Sequence, residues 1–403
     1  MKGSQRWRQT ACAAAAVLLM ALLGLHARGD AETPAWSPDG NRIAFATTRY
    51  AEGNAEIGPS GAVIEHYVYE DAIYVCDLTA AEPQAKRLAE GVGPKWSPDG
   101  TTIAYTKFAP GGPELWLADT TGGRPPRRFG TEKFPALVAW SPDGSKLLLA
   151  SPAKFDFPGV PGTYGGSRAS VGDTATGAIS VIGPEHFSSN GGAWCPDGKR
   201  LALSLWQVAE GYRKVHEIVV VPQGGGAGQT IFRDVGDNGR YLFLTSPQWE
   251  PKGRSICVLS MERRVLKPEG SSTPVDAAVA LDLLLLSPDG ATRKTVHHEP
   301  IEFAKAFEYS EPAFSPDGKR LAFMMQGHVY VADVASNGTD TTSKREVPLQ
   351  GKLPEGKMLG APAWYPTGSA IAIALLTPAA WEIWLVQPDG SNLQRIEQVP
   401  RPK

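Results

Sequence analysis

One short motif, repeated with variation, constrains this chain more than any other feature. PAWSPDGNRIAFAT begins at Pro34, PKWSPDGTTIAYTK at Pro94, VAWSPDGSKLLLAS at Val138 and GAWCPDGKRLALSL at Gly192. PQWEPKGRSICVLS follows from Pro247, PAFSPDGKRLAFMM from Pro312 and PAWYPTGSAIAIAL from Pro362. Each copy carries one aromatic anchor, in order Trp36, Trp96, Trp140, Trp194, Trp249, Phe314 and Trp364. The anchors recur about every fifty residues, and repeats of that period signal an architecture of stacked units.

Each copy reads as a β-hairpin. The aromatic residue ends one strand and Ser-Pro-Asp-Gly makes the turn. Proline presets φ at the first turn position, aspartate can accept from nearby backbone amides, and glycine tolerates positive φ. A strand rich in apolar residues, such as IAFAT or LALSL, follows. Lys252 and Thr367 replace the turn aspartate in two copies, while Gly253 and Gly368 persist. A second hairpin follows each first one. Its leading strands are AIYVCDL from Ala72, ELWLADT from Glu114, EIVVVPQ from Glu217, LDLLLLS from Leu281, HVYVADV from His328 and EIWLVQP from Glu382. The third copy has a weaker counterpart, SRASVGD from Ser167. Ser287–Gly290 also spells SPDG, but it follows LDLLLL without an aromatic anchor and belongs to the second hairpin.

Four antiparallel strands per repeat make a propeller blade, which hides its faces and most of its edges only when stacked in a ring. The expected fold is therefore all-β: a single propeller of seven four-stranded blades over residues 32–403, with six blades as the alternative. The blades should start near residues 34, 94, 138, 192, 247, 312 and 362. Counts of Gly 44 and Pro 34 suit such a turn-rich chain.

Residues 1–31 read as a signal peptide. Lys2, Arg6 and Arg8 precede an uncharged apolar run from Ala11 to Leu25, and small residues follow at Gly29 and Ala31. That run is shorter than the ~20 residues that span a bilayer, which favours cleavage and a periplasmic or secreted product; an uncleaved anchor is the alternative. No later segment approaches a membrane span. A net charge of -2 gives no reason to expect nucleic acid as a partner. Cys76, Cys195 and Cys257 lie in apolar strands or a hairpin and read as small buried residues, with no metal-binding spacing among cysteines and histidines.

The W-S-P-D-G-x-x-[IL]-[AL]-[FY] motif resembles the TolB-type, WD-like propeller repeat of bacteria. The resemblance runs from residue 34 to about 399. It implies a propeller acting in the periplasm with an envelope protein. TolB-type proteins pair an α/β domain with six blades; seven anchors and a motif that starts near residue 34 depart from that plan. Related propellers resemble the caps of serine peptidases, which carry a hydrolase domain; no G-x-S-x-G nucleophile elbow occurs in these residues. Another branch, the oligogalacturonate lyases, resembles a lone propeller holding a metal through histidines.

Meander topology narrows the search for a site. The Ser-Pro-Asp-Gly turns share one rim, and the loops joining second and third strands share the other. The second rim gathers the inserted length: roughly 49–71 in blade one, 151–166 in blade three and 261–276 in blade five. Its candidate binding residues are His66, Tyr67, Tyr69, Phe157, Tyr164, Trp206, Tyr212, Arg263 and Arg264. Asp39, Asp99, Asp143, Asp197 and Asp317 read as turn residues, not as a carboxylate site. No catalytic residue, metal ligand or cofactor is assigned. The expected role is an exported, non-enzymatic scaffold for an envelope protein, a polysaccharide or a peptide. A metal-dependent polysaccharide lyase and an accessory propeller serving a separate hydrolase are the alternatives.

Overall fold

The computed structural model describes residues 34–400 apart from 58–62, 81, 110–111, 131–135, 158–159, 161–162, 185–187, 211–212, 227, 238, 246, 267–274, 302–308 and 335–343. The expected signal segment, 1–31, lies outside the described residues. Seven antiparallel sheets follow one another along the chain, and each is made from one contiguous stretch. The blades cover 35–89, 92–128, 136–181, 188–235, 240–300, 313–346 and 357–400. Six blades would leave one sheet without a place. In blade five the first strand is split into Arg240–Leu244 and Gln248–Trp249, both paired with Ile256–Leu266.

Hydrophobic burial is organised between blades. Every junction has its own apolar layer, and both faces of each second strand are used, because successive side chains in a strand point to opposite faces. In blade one, Ile43 and Phe45 pack with Ala372, Ala374 and Ile383 of blade seven, whereas Ala44 packs with Trp96 and Ile103 of blade two. The small residue eight positions after the anchor leaves room for the next blade's indole: Ala44 with Trp96, Ala104 with Trp140, Ala202 with Trp249, Ala322 with Trp364. Cys76, Cys195 and Cys257 are buried and assigned to three different junctions.

The anchors also hydrogen-bond across these junctions. The Nε1 of Trp96 donates to Ala35 O at 2.9 Å, Trp140 to Lys95 O at 3.0 Å, Trp249 to Ala193 O at 3.1 Å and Trp364 to Ala313 O at 3.0 Å. In each case the acceptor immediately precedes the neighbouring blade's anchor. Trp36 Nε1 completes the circuit by donating to Ala363 O at 3.3 Å. Blades seven and one thus close the ring through side chains, with no strand shared among the described residues. Two junctions depart from the pattern: Phe314 has no N–H to give, and the buried Nε1 of Trp194 has no partner.

The turns behave as their chemistry dictates. Ser37 Oγ donates to Asp39 Oδ1 at 2.5 Å and accepts from Arg42 N at 2.9 Å, while Asp39 Oδ1 accepts from Asn41 N at 3.1 Å. The same arrangement recurs around Ser97, Ser141 and Ser315. The seven turn glycines have φ between 68° and 74°, a region that costs other residues strain. Blade five loses both serine and aspartate, and Glu250 takes over. Its backbone carbonyl accepts from Gly253 N at 2.7 Å, and its carboxylate accepts from Arg254 N at 3.1 Å.

One junction buries a histidine. His216, 3% exposed, stacks on Tyr241 and meets Phe243 edge-on, both in blade five, with ring centroids 6.1 and 5.9 Å away. Its Nδ1 is buried without a partner. Burial, reinforced by the nearby Lys214 charge and only partly opposed by Asp234, pushes its pKa down to about 3. The unfolded chain binds this proton near pH 6.5, so acid favours unfolding from there down to pH 3.

Two outcomes follow. Trp96→Phe and Trp194→Phe remove the same volume, but only the first removes a hydrogen bond; Trp96→Phe should cost about 1 kcal/mol more in urea unfolding. Equal costs would show that the indole bond contributes nothing net. His216→Phe keeps the ring stack and deletes the titration. Its stability relative to wild type should therefore improve by about 2–3 kcal/mol between pH 7 and pH 4.5, measured by denaturant unfolding at each pH. A pH-independent difference would refute the neutral, buried histidine.

Candidate functional site

In an antiparallel meander the first-to-second and third-to-fourth turns fall on one rim. Second strands run away from that rim, and the second-to-third hairpins close on the other. Hairpin length differs sharply around the ring. Blade one extends Arg42–Ile57 against Val63–Asp77, blade three Lys146–Asp156 against Thr163–Asp173, and blade five Ile256–Leu266 against Val275–Leu286. Blade six turns tightly at Gln326 and Gly327, with φ of 52° and 74°. The extra length was expected as inserted loops. It is mostly ladder, because alternating segments such as VIEHYVYE continue the strand pattern past the blade body.

His66, Tyr67 and Tyr69 lie on this extended ladder, in register with Asn54, Gly53 and Tyr50. Tyr164 is opposite Phe155 on the blade-three ladder, and Tyr212 lies outside the described residues. Phe157 and Trp206 come together across blades three and four with ring centroids 5.8 Å apart. They belong to a cluster with Phe155, Val160 and Val208 in which Phe157 is only 2% exposed. Arg168 lies over the Phe155 ring at 5.3 Å. Phe157 is therefore a packing residue: it ties the two hairpins into a ledge and leaves little of itself to meet a partner.

Arg263 is likewise engaged. Its Nε donates to Tyr241 OH and to Asp276 Oδ1, each at 3.1 Å, and its Nη2 donates to Asp276 O at 3.1 Å. Tyr241 OH donates to Asp276 Oδ2 at 2.6 Å, and Lys214 Nζ sits 3.8 Å from the Tyr241 ring centroid. This network crosses from blade four to blade five. Burial, then the Asp276 hydrogen bond and charge, push the Tyr241 hydroxyl well above its ordinary range, so it stays a donor. Arg264 is the freer of the pair, with its Nε on Glu262 Oε1 at 2.7 Å.

A feature that the sequence reading missed completes this rim. Phe108, Val181, Val235, Val265 and Val275 are the exposed large apolar residues among those described. Phe108, Val235, Val265 and Val275 stand within one residue of the strand ends that face the hairpin rim, in blades two, four and five, with two in blade five. Val181 instead pairs with Ser170, mid-blade and well short of the Asp156–Thr163 end of the blade-three ladder. The four rim positions mark an arc that touches blades two, four and five. Nothing in their local sequence announced exposure, since each ends an apolar strand like many buried neighbours.

The opposite rim is dominated by turn structure. The Ser hydroxyl first, then a backbone amide, hold Asp39, Asp99, Asp143 and Asp317 below the usual carboxylate range. Asp197 has Cys195 in place of serine; the Lys199 amide and Arg200 outweigh burial and lower it too. The described histidines are dispersed. His297 contacts Glu299 and Lys344 between blades five and six, where its ring lies 6.0 Å from Phe323, so it is more enclosed than a surface strand end. His298 pairs with Asp282 at 2.7 Å and His328 with Glu346 at 2.8 Å. Among the described residues no three His, Cys, Asp or Glu side chains form a group that could hold a metal ion.

No family model matches the chain. It is 30% identical over 86 residues to the Tol-Pal system protein TolB of Desulfosudis oleivorans, a match covering 21% of this chain and 19% of that protein. It is 25% identical over 117 residues to the uncharacterized peptidase YuxL of Bacillus subtilis, covering 29% of this chain and 16% of that one. These matches span less than a fifth of either relative. Among solved structures, the β-propeller domain of the trilobed protease from Pyrococcus furiosus aligns with a TM-score of 0.51 at 15% identity, covering 90% of this chain and 93% of that chain. The fold is thus shared with protease propellers, and the repeat is TolB-like.

Proposed function

We propose that this chain is an exported, non-enzymatic binding scaffold of the bacterial envelope and that its hairpin rim meets a protein partner. The observation carrying this reading is the arc of Phe108, Val235, Val265 and Val275 on a rim stiffened by the Phe157–Trp206 packing and the Arg263–Tyr241–Asp276 network. Exposed apolar positions grouped on one side of a rigid fold suit a protein surface, and polar groups such as Arg264 supply the surrounding rim. The basic start and apolar run of residues 2–25 support export. The TolB match supports an envelope partner. The ladder positions of His66, Tyr67, Tyr69 and Tyr164 would extend the surface beyond the arc.

A second reading, an accessory propeller that meets a separate hydrolase through the same arc, draws on the peptidase match. The identity of the captured protein separates the two. Residues 32–403 used as bait on an envelope extract should retain one stoichiometric partner. Phe108→Ser, Val235→Ser and Val265→Ser combined should weaken that capture at least about tenfold, with an unchanged melting temperature because all three side chains are exposed. Undiminished capture would refute the rim reading, and a hydrolase as the retained partner would favour the second.

A further inference from the structure

We propose that the junction of blades seven and one carries a binding site for a neutral sugar unit, on the turn rim and separate from the hairpin rim. The site arises where an arginine that three other blades carry is absent. Six residues after the anchor, three blades carry an arginine that covers the next blade's tryptophan. Arg42 lies 4.7 Å from the Trp96 ring centroid, Arg200 5.3 Å from Trp249 and Arg320 4.7 Å from Trp364. Two of these also bridge to the next turn: Arg42 Nη2 donates to Gly100 O at 2.8 Å and Arg320 Nη2 to Gly368 O at 2.9 Å. The equivalent position in blade seven is Ala370, so nothing covers Trp36 in this way.

The space that remains is a cleft of about 350 Å³, within the usual range for small-molecule sites. Its walls include Trp36 and Tyr365, which meet edge to face with centroids 4.8 Å apart and planes at 89°. Tyr365 occupies the place of the turn serine. Its hydroxyl lies 2.8 Å from where a Cβ would stand on Gly40, so a larger residue at 40 would displace it. Blade seven carries Tyr365, Thr367 and Ala370 where blades one and six carry serine, aspartate and arginine, and the turn still closes through Gly368 N to Tyr365 O at 2.7 Å.

The lining defines the ligand. Asn41, Thr79, Ser369 and Gln394 supply amide and hydroxyl groups, and no lining residue is charged. Two flat aromatic surfaces at right angles, ringed by neutral donors and acceptors, match a pyranose: its C–H face packs on a ring while its hydroxyls exchange hydrogen bonds. An anionic sugar finds no cation among the lining side chains, and a bulky apolar ligand would strand the amides.

Saturation-transfer NMR on the 32–403 chain tests this with cellobiose, chitobiose and digalacturonate at equal millimolar concentration. Saturation transfer to cellobiose or chitobiose, and much less to digalacturonate, is expected. Ala370→Arg introduces the residue that blades one, four and six carry at this position and should cover Trp36, weakening the neutral disaccharide at least about tenfold while thermal stability is kept. Tyr365→Ser, which likewise introduces the residue of blades one and six, should weaken it as well. Partner capture through the hairpin rim should be unaffected by either variant, so failure here and failure of the envelope-scaffold reading are distinguishable. Absence of transfer to both neutral disaccharides, equal transfer to digalacturonate, or binding indifferent to Ala370→Arg would each overturn the proposal.

Discussion

The indole N–H that five of the seven blades lend to a neighbour's backbone is the contact on which the ring's registration depends. A single blade has two apolar faces and cannot hide either one alone. Stacking hides both, but apolar packing is non-directional and would let adjacent sheets slide. The hydrogen bonds from Trp96 to Ala35, Trp140 to Lys95, Trp249 to Ala193 and Trp364 to Ala313 fix each blade's position on the next. Because every acceptor immediately precedes an anchor, two adjacent residues receive the neighbour on one side and reach across on the other. Trp36 to Ala363 applies that rule to the two ends of the chain and closes the ring.

That arrangement separates the molecule into two rims with different freedom. On the turn rim the chain is held by repeated chemistry: serine to aspartate, aspartate to backbone amide, glycine at positive φ. Glu250 shows how tightly the geometry constrains substitution, since its carboxylate accepts from the backbone amide that the turn aspartate takes elsewhere. On the hairpin rim no such rule applies, and ladders can lengthen without disturbing the stack. The variation in blades one, three, four and five is concentrated there, as are most of the exposed apolar side chains. At the junction of blades seven and one the turn rim has also diverged, and there it borders a cleft.

Much of the fold was legible because the repeat states it directly. The aromatic anchor, the Pro-x-Gly turn and the apolar strand after it are local features, and local features survive translation into structure. The second SPDG at Ser287–Gly290 was assigned correctly for the same reason: its preceding strand lacked an anchor, and it does join the third and fourth strands of blade five. The candidate rim was less legible. Phe157, Trp206 and Arg263 carry the side chains of a binding surface, but two of them pack on each other and the third is tied to Tyr241 and Asp276 from its own blade. Sequence cannot distinguish an aromatic residue that waits for a partner from one that already has it in the next blade.

By itself, then, the sequence determined the number of blades, the strand plan within each, the turn chemistry and the rim on which length would accumulate, because those follow from residues a few positions apart. Tertiary structure alone decided what faces water. Val265 and Val275 are exposed while Val258 and Leu284, in the same two strands, are buried. Burial depends on whether the neighbouring blade reaches that far along the strand. It also decided that Ala370 uncovers a tryptophan belonging to the opposite end of the chain, since Trp36 becomes its neighbour only when the ring closes.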